Sequence, residues 1–240
     1  MTILNEILQT LEKANQNETT ISVVFDLDST LFCVSPRTQQ ILRNFPDSDL
    51  ARPFQDSHTQ ALEKLKTIQS LPEDWGIRSA LVRDEIEGRI DFFEAIREFW
   101  VLHFFSSEYL KYDEPYEGAI EFVNECEKRG ADIWYLTGRD WPRMGDGTEL
   151  QLRRHNLPYP EGQLSMKTNS EIYDTEYKVD FFKNFKIPLK NTWFIDNEPV
   201  ILNRVHEAFP ELNLVYAGTV HSGREQPPNN SKEIGFKWSY

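Results

Sequence analysis

A chain of 240 residues suffices for one α/β domain, or for a core domain with an inserted subdomain, and is too short for several full domains. Aromatic residues make up 13% of it, too many for a disordered polymer, so a packed core is expected although only 39% of residues are hydrophobic. Lys and Arg total 26 against 39 Asp and Glu, and the net charge of −13 repels polyanions, which argues against nucleic acid and anionic membranes as partners.

From the N-terminus, residues 1–15 carry Ile3, Leu4, Ile7, Leu8 and Leu11 at helical spacing and predict an amphipathic helix. The start Met-Thr-Ile-Leu-Asn-Glu lacks the basic opening of a secretory signal, and no apolar run reaches the ~18 to 20 residues of a membrane span. A cytoplasmic protein without a membrane partner is the expectation. Residues 21–25 read as the first strand. From residue 36 to residue 112 there is no convincing strand but there are helical patterns, at 57–69 and in the aromatic-rich 84–105 with Phe92, Phe93, Ile96, Phe99 and Trp100. This predicts a helical subdomain, 36–112, inserted into a core formed by 1–35 and 113–223.

Beyond the insert, helices and strands alternate. Residues 117–129 predict a helix closed by Gly130, with Ala119, Ile120, Phe122, Val123 and Cys126 on its apolar face. A strand at 133–136, a helix at 148–155, a strand at 163–166 and a helix at 174–185 follow. Then come a strand at 192–195, a helix at 198–209 with Pro199 in its first turn, and a strand at 212–216. Residues 224–240, with Pro227, Pro228, Asn229 and Asn230, read as loop or tail. The alternation predicts an α/β fold, a Rossmann-like doubly wound parallel sheet with any ligand site at the C-terminal strand ends. Cys33 and Cys126 are too few for a disulfide framework and are expected as reduced thiols, and the five histidines show no metal-ligand spacing.

Three strand ends carry chemistry. Val23-Val24-Phe25 runs into Asp26-Leu27-Asp28-Ser29-Thr30, two acids at i and i+2 followed by two hydroxyls. Burying an unpaired carboxylate costs several kcal/mol, so a cation or reacting group is the natural compensation, and a plain strand-end turn is the alternative. A calcium loop fails because its sixth and twelfth positions would be Leu31 and Arg37 instead of Gly and Glu. The strand at 133–136 leads into Thr137-Gly138-Arg139, a hydroxyl, a glycine N–H open to close approach and a guanidinium. These suit a phosphate oxygen shell, or an ordinary turn. The third strand ends in Asp196-Asn197-Glu198-Pro199, where Asp196 or Asn197 is also placed to cap the helix that Pro199 begins. One shared site explains the three together.

In these segments the chain resembles the haloacid dehalogenase superfamily, over about residues 22–217. The insert matches in position the helical cap that many members place after the first motif. The resemblance implies an aspartyl-phosphate mechanism with Asp26 as nucleophile and Asp28 as general acid and then base. It implies that Thr137 and Gly138 hold phosphoryl oxygens. It implies Mg²⁺ as cofactor, on the Asp26 and Asp196 carboxylates and the Asp28 backbone carbonyl, with Asn197 as a direct or water-mediated ligand. A motif lysine is also implied: Lys178, eleven positions after Lys167, fits the spacing in the phosphatase domains of polynucleotide kinases, with Lys167 in support. The pair Asp196-Asn197 departs from the two acids common at this motif and is seen in phosphatases acting on phosphorylated RNA polymerase tails.

The expected activity is thus Mg²⁺-dependent hydrolysis of a small phosphorylated metabolite. The alternatives are phosphoryl transfer or a nucleic-acid-end phosphatase, and a catalytically silent binding protein of the same fold. Dehalogenation needs neither an acid at position 28 nor a metal, and the superfamily's ion pumps carry Thr at that position. Arg37, Arg52, Arg83 and Arg89 are the candidate specificity residues of the insert. Trp141, Pro142 and Arg143 are expected as a loop, at the substrate entrance or simply exposed.

Overall fold

The computed structural model describes residues 2–160, 162–229 and 231–240, and the chain divides into two units, Met1–Phe32 with Pro115–Tyr240, and Cys33–Glu114. Strand β1 (Ser22–Phe25) is buried along its whole length, as a central parallel strand covered on both faces must be. Where the chain passes between units, β2 (Phe32–Cys33) and β3 (Glu114–Pro115) pair as a short ribbon. The first unit continues with β4 (Asp132–Asp140), β5 (Leu164–Lys167), β6 (Thr192–Asp196), β7 (Asn213–Ala217) and β8 (Lys232–Ile234). Among the described residues the main sheet has the order β5-β4-β1-β6-β7-β8, and every neighbouring pair is parallel. The chain adds β4 and β5 on one side of β1 and then crosses to the other. The crevice beside such a reversal is where open α/β sheets bind ligands.

Helices α1 (Ile3–Gln16), α6 (Ala119–Lys128), α7 (Trp141–Arg154), α8 (Asp174–Lys183) and α9 (Pro199–Ala208) accompany this sheet. Helix α1 buries Leu4, Ile7, Leu8, Leu11 and Ala14, with the Thr2 hydroxyl accepting from Asn5 N at its start; Met1 lies outside the described residues. Phe182 of α8 and Leu202 and Val205 of α9 share one apolar cluster with Val24, Leu136 and Phe194 of the sheet.

Two expectations are corrected. The helix predicted at 148–155 begins seven residues earlier, so Trp141-Pro142-Arg143 is its first turn and not a loop. Asp140 caps it, its carboxylate accepting from Arg143 N at 3.2 Å, and Pro142 sits where a missing N–H costs nothing. Gly145 and Gly147 hid this turn from the hydrophobic pattern. Gly145 lies under the Trp141 ring, where a Cβ would be 3.0 Å from it and would push the half-exposed ring outward.

The supposed tail is structural. Lys232–Ile234 extends the sheet beyond β7, and Trp238 is buried between Phe25 and Phe122, with ring centroids 6.3 and 5.6 Å away. Trp238 N donates to Glu117 O at 2.8 Å. Next to it Gly118 has φ +82°, and a Cβ would run into the Trp238 carbonyl, so both conformation and space demand glycine. A three-residue strand with two exposed positions offers no hydrophobic period, which is why the segment read as loop. Asn230 lies outside the described residues.

The second unit is helical: α2 (Ser35–Asn44), α3 (Thr59–Leu65), α4 (Arg78–Arg83) and α5 (Ile90–Phe104), with 3₁₀ turns between α2 and α3 and after α5. Phe45 packs edge-on against Phe92 and Phe99 in a core that includes Ile41, Leu42, Phe54 and Ile96. Arg37 is fully buried, its Nε and Nη2 donating to Asp113 at 2.7 and 2.5 Å and its Nη1 to Phe104 O at 3.1 Å. Arg52 pairs with Asp49, Arg83 with Asp74 and Arg89 with Asp91, so each of the four arginines has a carboxylate partner within its own unit. No described helix is long and apolar enough to cross a membrane.

Candidate active site

Register builds the centre of the site. Phe25 is paired with Ile195, so the next residues, Asp26 and Asp196, stand at the same height at the ends of adjacent strands. Asp26 N donates to Ile195 O at 3.0 Å and keeps the two ends together. Both carboxylates are buried, and between them lies Lys178 of α8, only 2% exposed. Its Nζ donates to Asp26 Oδ1 at 2.6 Å and to Asp196 Oδ2 at 2.7 Å. The second oxygen of Asp26 accepts from Thr30 Oγ1 at 2.8 Å, and that of Asp196 from Glu198 N at 2.8 Å.

The loop after β1 is wound tightly. Leu27 O accepts from the N–H groups of Thr30, Leu31 and Phe32, and Ser29, buried, sits in the left-handed region at φ 59°. A non-glycine residue held there is a local strain that recurs at functional sites. The Thr219 hydroxyl donates to Ser29 O and ties the loop to the segment after β7. Thr30 does more than its place in the motif suggested: besides holding Asp26, its hydroxyl accepts from Asn197 N at 3.1 Å and lies 3.2 Å from Asn197 Oδ1.

The second strand end is arranged differently from the sequence expectation. Arg139 does not join a phosphate shell. It is 2% exposed and reaches Asp28, with Nη2 on Oδ1 at 2.6 Å and Nε on Oδ2 at 3.1 Å, while Nη1 donates to Thr148 Oγ1 and Gln151 Oε1 of α7 at 3.1 and 2.8 Å. Thr137, buried, accepts from Arg139 N at 3.3 Å. Gly138 is placed against α8: a Cβ on it would lie 2.6 Å from Asp174 Oδ2. Asp174 in turn takes Lys167, whose Nζ donates to Asp174 Oδ1 at 2.7 Å and to Ile172 O at 3.1 Å.

Of the residues singled out from sequence, the structure brings Asp26, Lys178 and Asp196 into direct contact and sets Asp28 and Thr137 around Arg139. Lys167 and Gly138 meet at Asp174 instead, a residue the motifs did not flag although it opens the helix that carries Lys178. Asn197 points its amide nitrogen at Val220 O, 2.6 Å away, and its oxygen toward Thr30, so it braces the site's floor.

The electrostatics follow from burial. Three carboxylates, Asp26, Asp28 and Asp196, face two cations, Lys178 and Arg139. Burial raises the Asp26 carboxyl from the ordinary 3.8 to about 7, opposed by Lys178 and reinforced by Asp196 and Asp28. Burial likewise raises Asp196, again opposed by Lys178. Burial works against charge on Lys178, but Asp196 and Asp26 outweigh it and its ammonium is held above the ordinary lysine range. Among the described residues no three His, Cys, Asp or Glu side chains form a metal cluster of their own. The donors that are present suit a hard cation that takes oxygen ligands: two buried carboxylates short of positive charge are the usual protein share of a Mg²⁺ site, the rest coming from backbone, water and phosphate oxygens.

A family model for haloacid dehalogenase-like hydrolases matches residues 22–162. The chain belongs to this family of hydrolases, as the strand ends, the sheet order and the inserted unit lead one to expect. No curated protein sequence matches it. Among solved structures it is similar to a haloacid dehalogenase-like hydrolase from Streptococcus pneumoniae (12% identity, TM-score 0.53, covering 91% of this chain and 94% of that one). It is also similar to a subfamily IA hydrolase of the superfamily from Geobacter sulfurreducens (16% identity, TM-score 0.50, covering 85% and 92%). At these identities the likeness is one of fold.

Proposed function

We propose that the protein is a Mg²⁺-dependent phosphomonoester hydrolase that acts on a small phosphorylated metabolite through an aspartyl-phosphate. The observation that carries this reading is Lys178 Nζ, 2.6 and 2.7 Å from two buried carboxylates at adjacent strand ends, with Asp28 two residues beyond the first. Family membership supports the hydrolase class, and the charge of −13 favours a small ester over a polyanion.

An Asp26 carboxylate oxygen attacks phosphorus, the Asp26–phosphorus bond forms, and the bond from phosphorus to the alcohol oxygen breaks as that oxygen takes a proton from Asp28. Water then attacks phosphorus, giving its proton to Asp28, and the Asp26 carboxylate and inorganic phosphate are released. Lys178 aligns the nucleophile through its Oδ1 and opposes the rise that burial imposes on the Asp26 carboxyl. Thr137 and the Gly138 N–H hold phosphoryl oxygens. Asp26, Asp196 and the Asp28 carbonyl would hold Mg²⁺, which offsets the repulsion between carboxylate and phosphate. The Lys167–Asp174 pair fixes the start of α8 and hence Lys178.

The test is phosphate release from p-nitrophenyl phosphate and a panel of metabolite monophosphates. Activity that needs Mg²⁺, stops with EDTA and falls by about four orders of magnitude or more in Asp26→Asn is expected. Undiminished release by Asp26→Asn would overturn the mechanism.

A further inference from the structure

Of Asp26, Asp28 and Asp196, Asp28 is the most open, its side chain 28% exposed, and a carboxylate at a solvent-facing mouth is free to rotate unless something fixes it. What faces it is a guanidinium only 1% exposed, met in the bidentate fork geometry that orients a carboxylate plane as well as attracting its charge. The guanidinium is itself fixed. Its remaining nitrogen donates to Thr148 and Gln151, both buried and one turn apart on α7. Nε, Nη1 and Nη2 are thus all engaged inside the protein.

We propose that Arg139 is a positioning residue, which holds the Asp28 carboxylate in the orientation its proton transfers require and does so through a clamp anchored on α7. This rests on the proposed hydrolase mechanism and assigns within it a residue that touches no reacting atom. A side chain displaced by about 1 Å from its productive pose costs on the order of 10²-fold in rate. Arg139→Met is therefore expected to slow the step that leans most on Asp28.

With p-nitrophenyl phosphate the two steps separate. The nitrophenolate leaves as a stable anion and needs no proton, so phosphorylation of Asp26 depends little on Asp28, whereas attack of water on the phosphoenzyme needs it as base. Rapid quench of Arg139→Met with Mg²⁺ should show a burst of one nitrophenolate per active site, then a steady rate about 10- to 100-fold below wild type, with phosphoenzyme trapped on Asp26. Millimolar guanidinium added to Arg139→Ala should restore the steady phase. Should Arg139 variants fold poorly, Gln151→Met with Thr148→Val leaves Arg139 and Asp28 in place, loosens the clamp and should give the same pattern in milder form. Unchanged kinetics, or burst and steady phases falling together with no trapped phosphoenzyme, would overturn the positioning role. Wild-type speed in Asp26→Asn would instead overturn the mechanism beneath it.

Discussion

Each unit buries an ion pair, and the two are built differently. In the helical unit Arg37 and Asp113 meet one to one, both side chains at 0% exposure, with two parallel hydrogen bonds and the spare nitrogen on a carbonyl. In the sheet unit a single ammonium serves two buried carboxylates, Asp26 and Asp196. The first arrangement is closed, with charges matched and polar atoms satisfied. The second is short of positive charge, which burial makes expensive and which no fold requires. Matched burial is the mark of structure, and unmatched burial at a strand end is the mark of a functional site.

Substitutions can break this contrast. Lys178→Met should lower kcat/KM for phosphate release by about 10³-fold, next only to the loss in Asp26→Asn, since it removes the one charge that orders both carboxylates. If phosphate release survives it, the unmatched pair is not the site. In the helical unit Asp113→Asn should leave activity chemistry untouched but cost about 3 to 5 kcal/mol in denaturant unfolding, because Arg37 is left buried against a neutral amide. Replacing both partners, Arg37→Met with Asp113→Leu, should recover most of that loss; failure to do so would mean that the pair is not simply structural.

Within the sheet unit, Trp238→Ala should cost about 3 kcal/mol by opening a cavity between Phe25 and Phe122, read from the shift in denaturation midpoint. A loss under ~1 kcal/mol would return residues 232–240 to the status of a tail. The smallest effect concerns the thiols, one per unit. Cys126 is fully buried in the first, and burial holds its thiol above the ordinary range; Cys33 is 8% exposed in the ribbon where the chain enters the second. A thiol reagent should leave both largely unlabelled in the native protein and modify Cys33 first, with Cys126 following only on global unfolding. Faster labelling of Cys126 would show the sheet unit to be the looser of the two.

Much of this was legible in the chain. The continuous apolar runs that end in Asp26, Thr137 and Asp196 sit on β1, β4 and β6, and burial on both faces explains why such strands announce themselves without alternation. Helix α7 was half hidden because Pro142, Gly145 and Gly147 dilute its pattern, although Asp140 followed by Pro142 is a start signal once the strand is known to run that far. Strand β8 carries no local signal. It is held by β7 and by α1, contacts far away in sequence.

Burial period and strand-end acids are local properties of a chain, and from them follow the α/β class, the inserted helical segment and the residue types of the site. Which partners those residues take was decided only in three dimensions. Lys167 and Lys178 both follow strand or helix boundaries, and it is the placement of α8 that sends one to Asp174 and the other to Asp26 and Asp196. Arg139 read as a phosphate ligand from its neighbours in the motif. Its position between β1 and α7 gave it to Asp28 instead, since a buried guanidinium settles where carboxylate, amide and hydroxyl oxygens satisfy most of its donors, and no pattern in one segment lists the oxygens of another.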